Sequence, residues 1–305
     1  VNTTYMLLKE YDRSFIYDAN YLLSEKNINE KLKNFYVASV FRPYMAINQW
    51  FDYASPKLLQ KVLSFGPRFI YIDVFNDSLR RDPSPVISTG FEKGNWKFTL
   101  NKIHFEDFCR IISQTVFNAA YCNNYKDPFF IAMNLNVNNN IICLNKMQGI
   151  IYKYFKSNLL PPEFGYLKEN LAETPIRKLL NKVVLLASDG YQESYLEELI
   201  NGTWGSSSYI KKINFRSLDD NILSTDGIKM EKRNVIEHNK TGLSIIVPDE
   251  SSLFTINYNP KNFLDTGCQF INMNYQNKNQ NIVTYFNKFK FSAFVKKPFE
   301  LQGHN

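Results

Sequence analysis

Residues 69–75 read Phe69-Ile70-Tyr71-Ile72-Asp73-Val74-Phe75, a run of aromatic and β-branched residues with one carboxylate in it. Such a run is typical of a buried β-strand. Residues 56–65 before it carry aliphatic side chains at helical spacing, and residues 35–40 are again strand-like. This order predicts that residues 35–40 and 69–73 form neighbouring parallel strands, joined by a crossover helix at residues 56–65.

The same alternation of strand and helix continues along the chain. Further strands are predicted at residues 129–137, 182–188, 210–215, 243–247 and 268–275. Further helices are predicted at residues 105–117, 144–155, 229–238 and 260–266. About eight strands alternating with helices predict an α/β fold, a (β/α)8 barrel. Residues 1–33 are interpreted as a helical lead-in, and residues 189–209, rich in Gly and Ser, as a link between two parts of the barrel.

Composition excludes several classes of protein. Of the 305 residues 44% are hydrophobic and 21% charged, which suits a sizeable core and argues against disorder. No apolar run is long enough for a membrane-spanning helix. The four cysteines form no C-x-x-C pair, so neither a zinc site nor a disulfide scaffold is indicated, and buried thiols suit the cytosol. No signal peptide is recognised, and the lack of an initiator Met suggests a piece of a longer chain.

The net charge is +7, from 36 basic and 29 acidic residues. The basic residues are scattered, so we expect a solvated basic surface, with weak contact to an anionic membrane as an alternative. No nucleotide motif is present, and no nucleic-acid partner is expected. Residues 93–97, Lys93-Gly94-Asn95-Trp96-Lys97, are interpreted as an ordinary loop or a tip that touches a membrane.

Several short motifs occur in an order that resembles a known family. They are Phe215-Arg216-Ser217, His238-Asn239, Asn257-Tyr258-Asn259-Pro260, Gly267-Cys268-Gln269 and Val295-Lys296-Lys297-Pro298-Phe299. With matching stretches at residues 35–45, 69–77, 85–90, 105–107, 127–135 and 174–188, they resemble eukaryotic phosphoinositide-specific phospholipase C. The resemblance covers about residues 35–300.

The resemblance implies a distorted TIM barrel of the X/Y type. Its X half would span residues 34–188, its short X/Y linker residues 189–209, its Y half residues 210–301 and a tail residues 302–305. The family site lies at the carboxyl ends of the strands. Two histidines there act as base and acid, calcium polarises the phosphate, and lysine and arginine hold the ring phosphates.

The resemblance places other residue types at these positions. Phe41 and Thr89 stand where the family has its two catalytic histidines. Arg42, Tyr71, Asp73 and Asn134 stand at the calcium positions, so one carboxylate of three remains and calcium is expected to be lost. Of the headgroup positions Ala187, Asp189, Ser217, Ile245 and Val247, only Ser217 keeps the family residue. Framework residues are retained: Arg216, His238, Asn239, Tyr258, Pro260, Gly267, Gln269 and Pro298.

These replacements lead to three hypotheses. The first is an inactive phospholipase C-like barrel, a pseudoenzyme that serves as a scaffold or binding module for protein partners in a larger assembly. The second is phosphoinositide hydrolysis by relocated residues, and the third is a headgroup or membrane binder without turnover. The protein is expected to be cytoplasmic, with a membrane-peripheral location as an alternative. Within the site we expect Phe41 and Tyr71 to stack and Arg42 to pair with Asp73. His238 is expected to be structural, His104 a surface or capping residue or a substitute acid, and His304 inert.

Overall fold

The structure, a computed structural model, describes residues 17–46, 53–77, 82–91, 96–97, 102–165, 168–206, 209–218, 231–250, 252 and 256–304. The strands are β1 (Phe35–Phe41), β2 (Phe69–Asn76), β3 (Pro85–Ser88), β4 (Gly90–Phe91), β5 (Trp96–Lys97), β6 (Ile103–His104), β7 (Phe129–Asn136), β8 (Val183–Ala187), β9 (Gly202–Thr203), β10 (Ile210–Asn214), β11 (Leu243–Val247), β12 (Phe270–Met273) and β13 (Phe294–Lys296).

Helices alternate with these strands. They are α1 (Glu25–Ile28), α2 (Pro56–Ser64), α3 (Phe105–Thr115), α4 (Ile141–Phe155), α5 (Pro162–Gly165), α6 (Lys232–Thr241), α7 (Lys261–Asp265) and α8 (Gln280–Lys288). Ser55 begins α2 and accepts a hydrogen bond from the Leu58 N–H, with Pro56 in the first turn. Helix α2 buries its aliphatic face and ends at Ser64, which confirms the crossover helix.

The parallel strands form a nearly closed barrel in the order β10-β11-β12-β1-β2-β7-β8-β9. Strand β1 pairs with β2 in parallel, from Ser39 opposite Phe69 to Phe41 opposite Tyr71, so the predicted neighbours are confirmed. Among the described residues no ladder joins β9 to β10, and the barrel is left open there. Antiparallel pieces distort it further, because β13 pairs with β1 and β3 pairs with β2.

Stacked aromatic rings fill the inside of the barrel. Phe69 and Phe270 lie 4.3 Å apart between ring centroids, and Phe130 lies 5.2 Å from Phe270. These three residues come from β2, β12 and β7, and the contacts between their rings place all three side chains inside the barrel. Because alternate residues of a strand point to the same side, Tyr71 and Asp73 lie on the same face of β2 as Phe69, nearer the carboxyl end of the strand.

The segments outside the strands differ from the prediction. In the described part of the lead-in, residues 17–33, α1 is one turn long and the rest consists mainly of turns; residues 1–16 lie outside the described residues. Within the predicted link, Gly202–Thr203 pairs with Leu186 and Ala187 of β8 and is therefore part of the barrel. Two residues are too short a run for a strand pattern to be recognised in sequence. Helix α4 begins earlier than predicted, because Asn140 accepts from the Cys143 N–H.

A buried amide explains why part of the framework is retained. The Gln269 side chain donates to the carbonyl oxygens of Lys33, Asn239 and Gly242 at 3.0–3.1 Å and accepts from the Ser244 N–H at 2.9 Å. It thereby joins the start of β1, the end of α6 and the start of β11. No helix of the described residues has the length and apolarity to cross a membrane.

Candidate functional site at the carboxyl end of the barrel

Strand register brings the predicted site residues together. Phe41 of β1 lies opposite Tyr71 of β2, and Asp73 of β2 lies opposite Asn134 of β7. Tyr71 and Asp73 are two residues apart, so their side chains point to the same side of the strand. These four residues meet at the carboxyl ends of three adjacent strands, the end at which parallel barrels hold their active sites.

A buried ion pair lies at the centre of this site. Arg42 Nε is 2.6 Å from Asp73 Oδ2, and the two side chains are only 3% and 1% exposed. Asn134 Nδ2 donates to the other carboxylate oxygen, Oδ1, at 3.0 Å. The expected contact between Arg42 and Asp73 is therefore confirmed, and it is buried.

Burial and the opposite charge act against each other within this pair. Burial is the largest single effect and lowers the pKa of Arg42, but the charges of Asp73, Tyr44, Glu250 and Tyr71 together outweigh it, and the guanidinium pKa is raised. Burial raises the pKa of Asp73, and the charge of Arg42 opposes that rise. Because each charge supports the ionised form of the other, loss of either partner leaves a buried charge without compensation.

Aromatic rings occupy the space beside the ion pair. The Phe41 and Tyr71 rings are stacked, with centroids 5.4 Å apart and planes at 20°, as expected. Trp204 packs on Tyr71 with centroids 5.8 Å apart. Thr89 is buried at the end of β3. A phenyl ring has no proton to exchange, and a threonine hydroxyl does not titrate near neutral pH.

Two residues that the sequence analysis did not select lie at the mouth of the site. Lys212 Nζ is 3.0 Å from Glu250 Oε1 and 3.4 Å from the Tyr71 hydroxyl oxygen. The Tyr71 hydroxyl donates to Glu250 Oε1 at 3.2 Å. Lys212 lies two residues after buried Ile210 and therefore on the same side of β10. A lysine on the buried side of a strand is the sequence feature that could have indicated a functional residue here. Glu250 follows β11 in a loop, where no pattern marks it.

The donor set does not fit calcium. Calcium takes six to eight oxygen ligands, mostly carboxylate and carbonyl oxygens. Here both oxygens of Asp73 are engaged, one by the guanidinium of Arg42 and the other by Asn134. A fixed positive charge at 2.6 Å from the Asp73 carboxylate repels a second cation from the same position.

The predicted headgroup positions are largely apolar. Ala187, Ile245 and Val247 are buried and carry no polar group. Asp189 is exposed, and its Oδ1 accepts from Thr203 Oγ1 and Ser206 Oγ. Ser217 is half-buried in the 3-10 turn Phe215–Ser217. These side chains offer an anionic phosphate no cation of their own.

The histidines belong to other parts of the molecule. His238 Nε2 is 3.1 Å from the Leu243 carbonyl oxygen, and burial lowers the pKa of its ring, which agrees with the expected structural role. His104 begins α3 without a capping hydrogen bond from its side chain. His304 stacks on Phe299. In the predicted tip, Phe91 pairs with Trp96, and residues 92–95 lie outside the described residues.

Family models match most of the chain. The model described as phosphatidylinositol-specific phospholipase C, X domain, matches residues 28–188, and the Y domain model matches residues 205–299. A search of the curated proteins gives no match.

Solved structures share the fold. The crystal structure of S. officinalis PLC21 matches with a TM-score of 0.71 and 16% identity over 92% of this chain. L. pealei PLC21 matches with a TM-score of 0.68 and 16% identity over 89% of this chain. This chain spans 38% of the length of each. A calcium-dependent phosphoinositol-specific phospholipase C from Pseudomonas sp matches at 0.50 and 9% identity, covering 86% of this chain and 94% of that one. At these identities the structures show the fold alone, while the two domain models in their X–Y order show that the chain belongs to the phosphatidylinositol-specific phospholipase C family.

Proposed function

We propose that this chain is a catalytically inactive phospholipase C-like barrel that serves as a scaffold or binding module in a larger cytoplasmic protein or complex. The observation that carries the proposal is the Arg42–Asp73 ion pair beside the Phe41–Tyr71 stack. A cation and two rings of the chain itself occupy the place where the family chemistry needs a metal ion and a histidine.

The chemistry of the remaining groups supports the proposal. Acid–base catalysis by a positioned side chain contributes about 10²–10⁴-fold, and neither Phe41 nor Thr89 can supply it. A metal ion would add charge stabilisation of the transition state, and the donor set does not fit calcium. The side chains of Ile245 and Val247 are buried and apolar and offer a phosphate neither a positive charge nor a hydrogen bond.

A hydrolysis assay tests the proposal. Phosphoinositide vesicles are incubated with excess protein and millimolar Ca²⁺, with an active phospholipase C as the positive control. We expect no release of inositol phosphate above the protein-free blank. Release that disappears in the Glu250→Gln variant would support the relocated site instead, because Glu250 is the carboxylate at the mouth of the site.

A membrane-binding role without turnover is the second candidate. Large apolar side chains are exposed on segments that follow the carboxyl ends of the strands: Tyr53, Ile142, Tyr195 and Ile256. Together with the net charge of +7 they suit weak contact with an anionic bilayer.

Vesicle flotation distinguishes the two candidates. A scaffold for protein partners should remain in the soluble fraction with neutral and with phosphoinositide-containing vesicles. Flotation with anionic vesicles that is lost in the Ile142→Ser/Tyr195→Ser double variant, and retained in a Phe299→Ser control, would favour the membrane binder. Phe299 is also exposed, but it follows β13, whose Lys296 lies opposite Phe35 at the start of β1, so it lies toward the amino end of the barrel.

A further inference from the structure

We infer that Arg42 is a tethered cation, whose guanidinium takes the charge role of a divalent metal ion and orders the carboxyl end of the barrel without one. The inference rests on the proposed function, since it concerns the same site. It goes beyond the proposed function because it predicts that the carboxyl end of the barrel is structurally ordered without calcium.

Oxygen atoms from different elements converge on the guanidinium. Nε is 2.6 Å from Asp73 Oδ2 of β2, and Nη1 donates to the Glu250 carbonyl oxygen, after β11, at 3.5 Å. Asn134 of β7 holds the second oxygen of Asp73. Carboxylate and carbonyl oxygens are the ligands that a hard divalent cation prefers. One side chain at the end of β1 thereby joins elements that a metal ion would otherwise join.

The backbone of Arg42 is held in place at a cost. Its φ is +44°, in the left-handed region that a long side chain rarely adopts. Its N–H donates to the Tyr71 carbonyl oxygen at 2.9 Å, and Gln276 Nε2 donates to its carbonyl oxygen at 2.9 Å. The guanidinium also lies 4.6 Å from the centroid of the Phe41 ring. Such a conformation persists only where several contacts determine it together. The two backbone hydrogen bonds and the Phe41 ring together hold Arg42 in the conformation that brings its guanidinium to Asp73.

Replacing the Arg42 guanidinium by a metal ligand should convert this end of the barrel into a site for a divalent cation. In Arg42→Asn the positive charge is removed and an amide oxygen is offered in its place. The carboxylate of Asp73 then loses the counter-charge of Arg42, and the Glu250 carbonyl oxygen loses the hydrogen bond from Nη1. We therefore expect the variant to acquire a weak divalent site that the wild type lacks.

Thermal unfolding of the full chain in EDTA and in ~10 mM CaCl₂ measures this conversion. The wild type should unfold at the same temperature in both. Arg42→Asn should unfold at a lower temperature in EDTA and regain about 3 °C in CaCl₂, as for a site with roughly millimolar Kd. Terbium luminescence gives a second readout, because Tyr71 and Trp204 lie beside the site and can sensitise a bound ion.

The matched control is Arg42→Asn/Asp73→Asn, which removes the carboxylate while leaving surface acidic residues unchanged. It should lose both the calcium shift and the terbium signal. A calcium shift in the wild type, or equal shifts in the single and double variants, would overturn the inference. If Arg42→Asn does not fold in EDTA, its refolding yield is measured with and without CaCl₂. A higher yield with CaCl₂ would support the inference, and equal yields would overturn it. Hydrolysis by a wild type that shows no calcium shift would contradict the proposed function and leave the tethered cation standing.

Discussion

At the scale of single residues, the buried charges of this protein are held by very different partners. The Arg42–Asp73 pair is closed off from solvent by the Phe41 ring and the end of β2. Lys297 is equally buried, and its ammonium group donates to the Asn239 carbonyl oxygen at 3.3 Å; within the described part of the chain it forms no ion pair with a carboxylate. Their responses to mutation and to pH should therefore differ.

Removing the carboxylate of the ion pair should strongly destabilise the fold. Asp73→Ala leaves the guanidinium of Arg42 buried without its counter-charge, and we expect a loss of about 3–5 kcal/mol in the free energy of unfolding. Lys261 and Asp265 form an exposed pair on α7, and Asp265→Ala should cost less than ~1 kcal/mol. Urea unfolding of both variants measures the difference, and equal costs would mean that the Arg42–Asp73 pair is solvated in solution.

Lys297 should make stability rise with pH above neutrality. Burial lowers the pKa of Lys297 from 10.5 to about 7 in the folded protein. Between these values the unfolded chain binds more protons, so the free energy of unfolding increases as pH rises, by up to about 1.4 kcal/mol per pH unit. Urea unfolding at pH 7.0 and 8.5 should show the increase in the wild type and in Lys261→Met, whose side chain is exposed. In Lys297→Met this increase should be missing, and a slope equal to that of the wild type would contradict the assignment.

At the scale of elements, buried amides link the strands of the Y half to their helices. Asn239 of α6 donates to the Thr266 carbonyl oxygen and accepts from Ser244 Oγ, while Gln269 bonds the backbone around it. These side chains connect the end of α6, the start of β11 and the segment before β12. We therefore expect Asn239 and Gln269 to stabilise the fold.

Gln269→Leu tests this interpretation. The variant nearly keeps the volume of the side chain but leaves the Ser244 N–H and the carbonyl oxygens of Lys33 and Gly242 without the side-chain partner they have now, while the Asn239 carbonyl oxygen keeps Lys297 as a donor. Each unsatisfied buried group costs about 1–3 kcal/mol, so the total should exceed ~3 kcal/mol. Gln280→Leu, on the exposed side of α8, is the control and should change stability by less than about 0.5 kcal/mol. Similar denaturation midpoints for the two variants would refute the role of Gln269.

At the scale of the whole molecule, the strand order of the barrel brings residues from distant parts of the chain together at its carboxyl end. The strand order and register place Phe41, Tyr71 and Asp73 where a TIM barrel assembles a site. Around them the Arg42–Asp73 ion pair, the rings of Phe41, Tyr71 and Trp204 and the Lys212–Glu250 contact lie close together. Restoring one kind of group should therefore not restore a function that needs several.

The double variant Phe41→His/Thr89→His should not hydrolyse phosphoinositides. It introduces two imidazole groups, but Arg42 still forms its ion pair with Asp73. The side chains of Ile245 and Val247 are still apolar and cannot bind a phosphate as a lysine or arginine would. Release of inositol phosphate is measured with excess protein and millimolar Ca²⁺, beside the wild type. Turnover above that of the wild type would show that the rest of the site is more complete than proposed.

The sequence by itself determined the parallel barrel, the neighbouring strands β1 and β2, the X–Y order of its halves and the residues that stand at the site. The Phe41–Tyr71 stack and the Arg42–Asp73 pair were expected from the family resemblance, which assigns these residues to one cavity, and both are present. Only the tertiary structure brought Lys212 and Glu250 to Tyr71, across 141 and 179 residues of sequence. It likewise decided that Gly202–Thr203 belongs to the barrel and that Trp204 covers Tyr71. The physical reason is that these contacts arise when the strands curve into a barrel, and no repeat within one strand or helix specifies which distant side chains that closure makes neighbours.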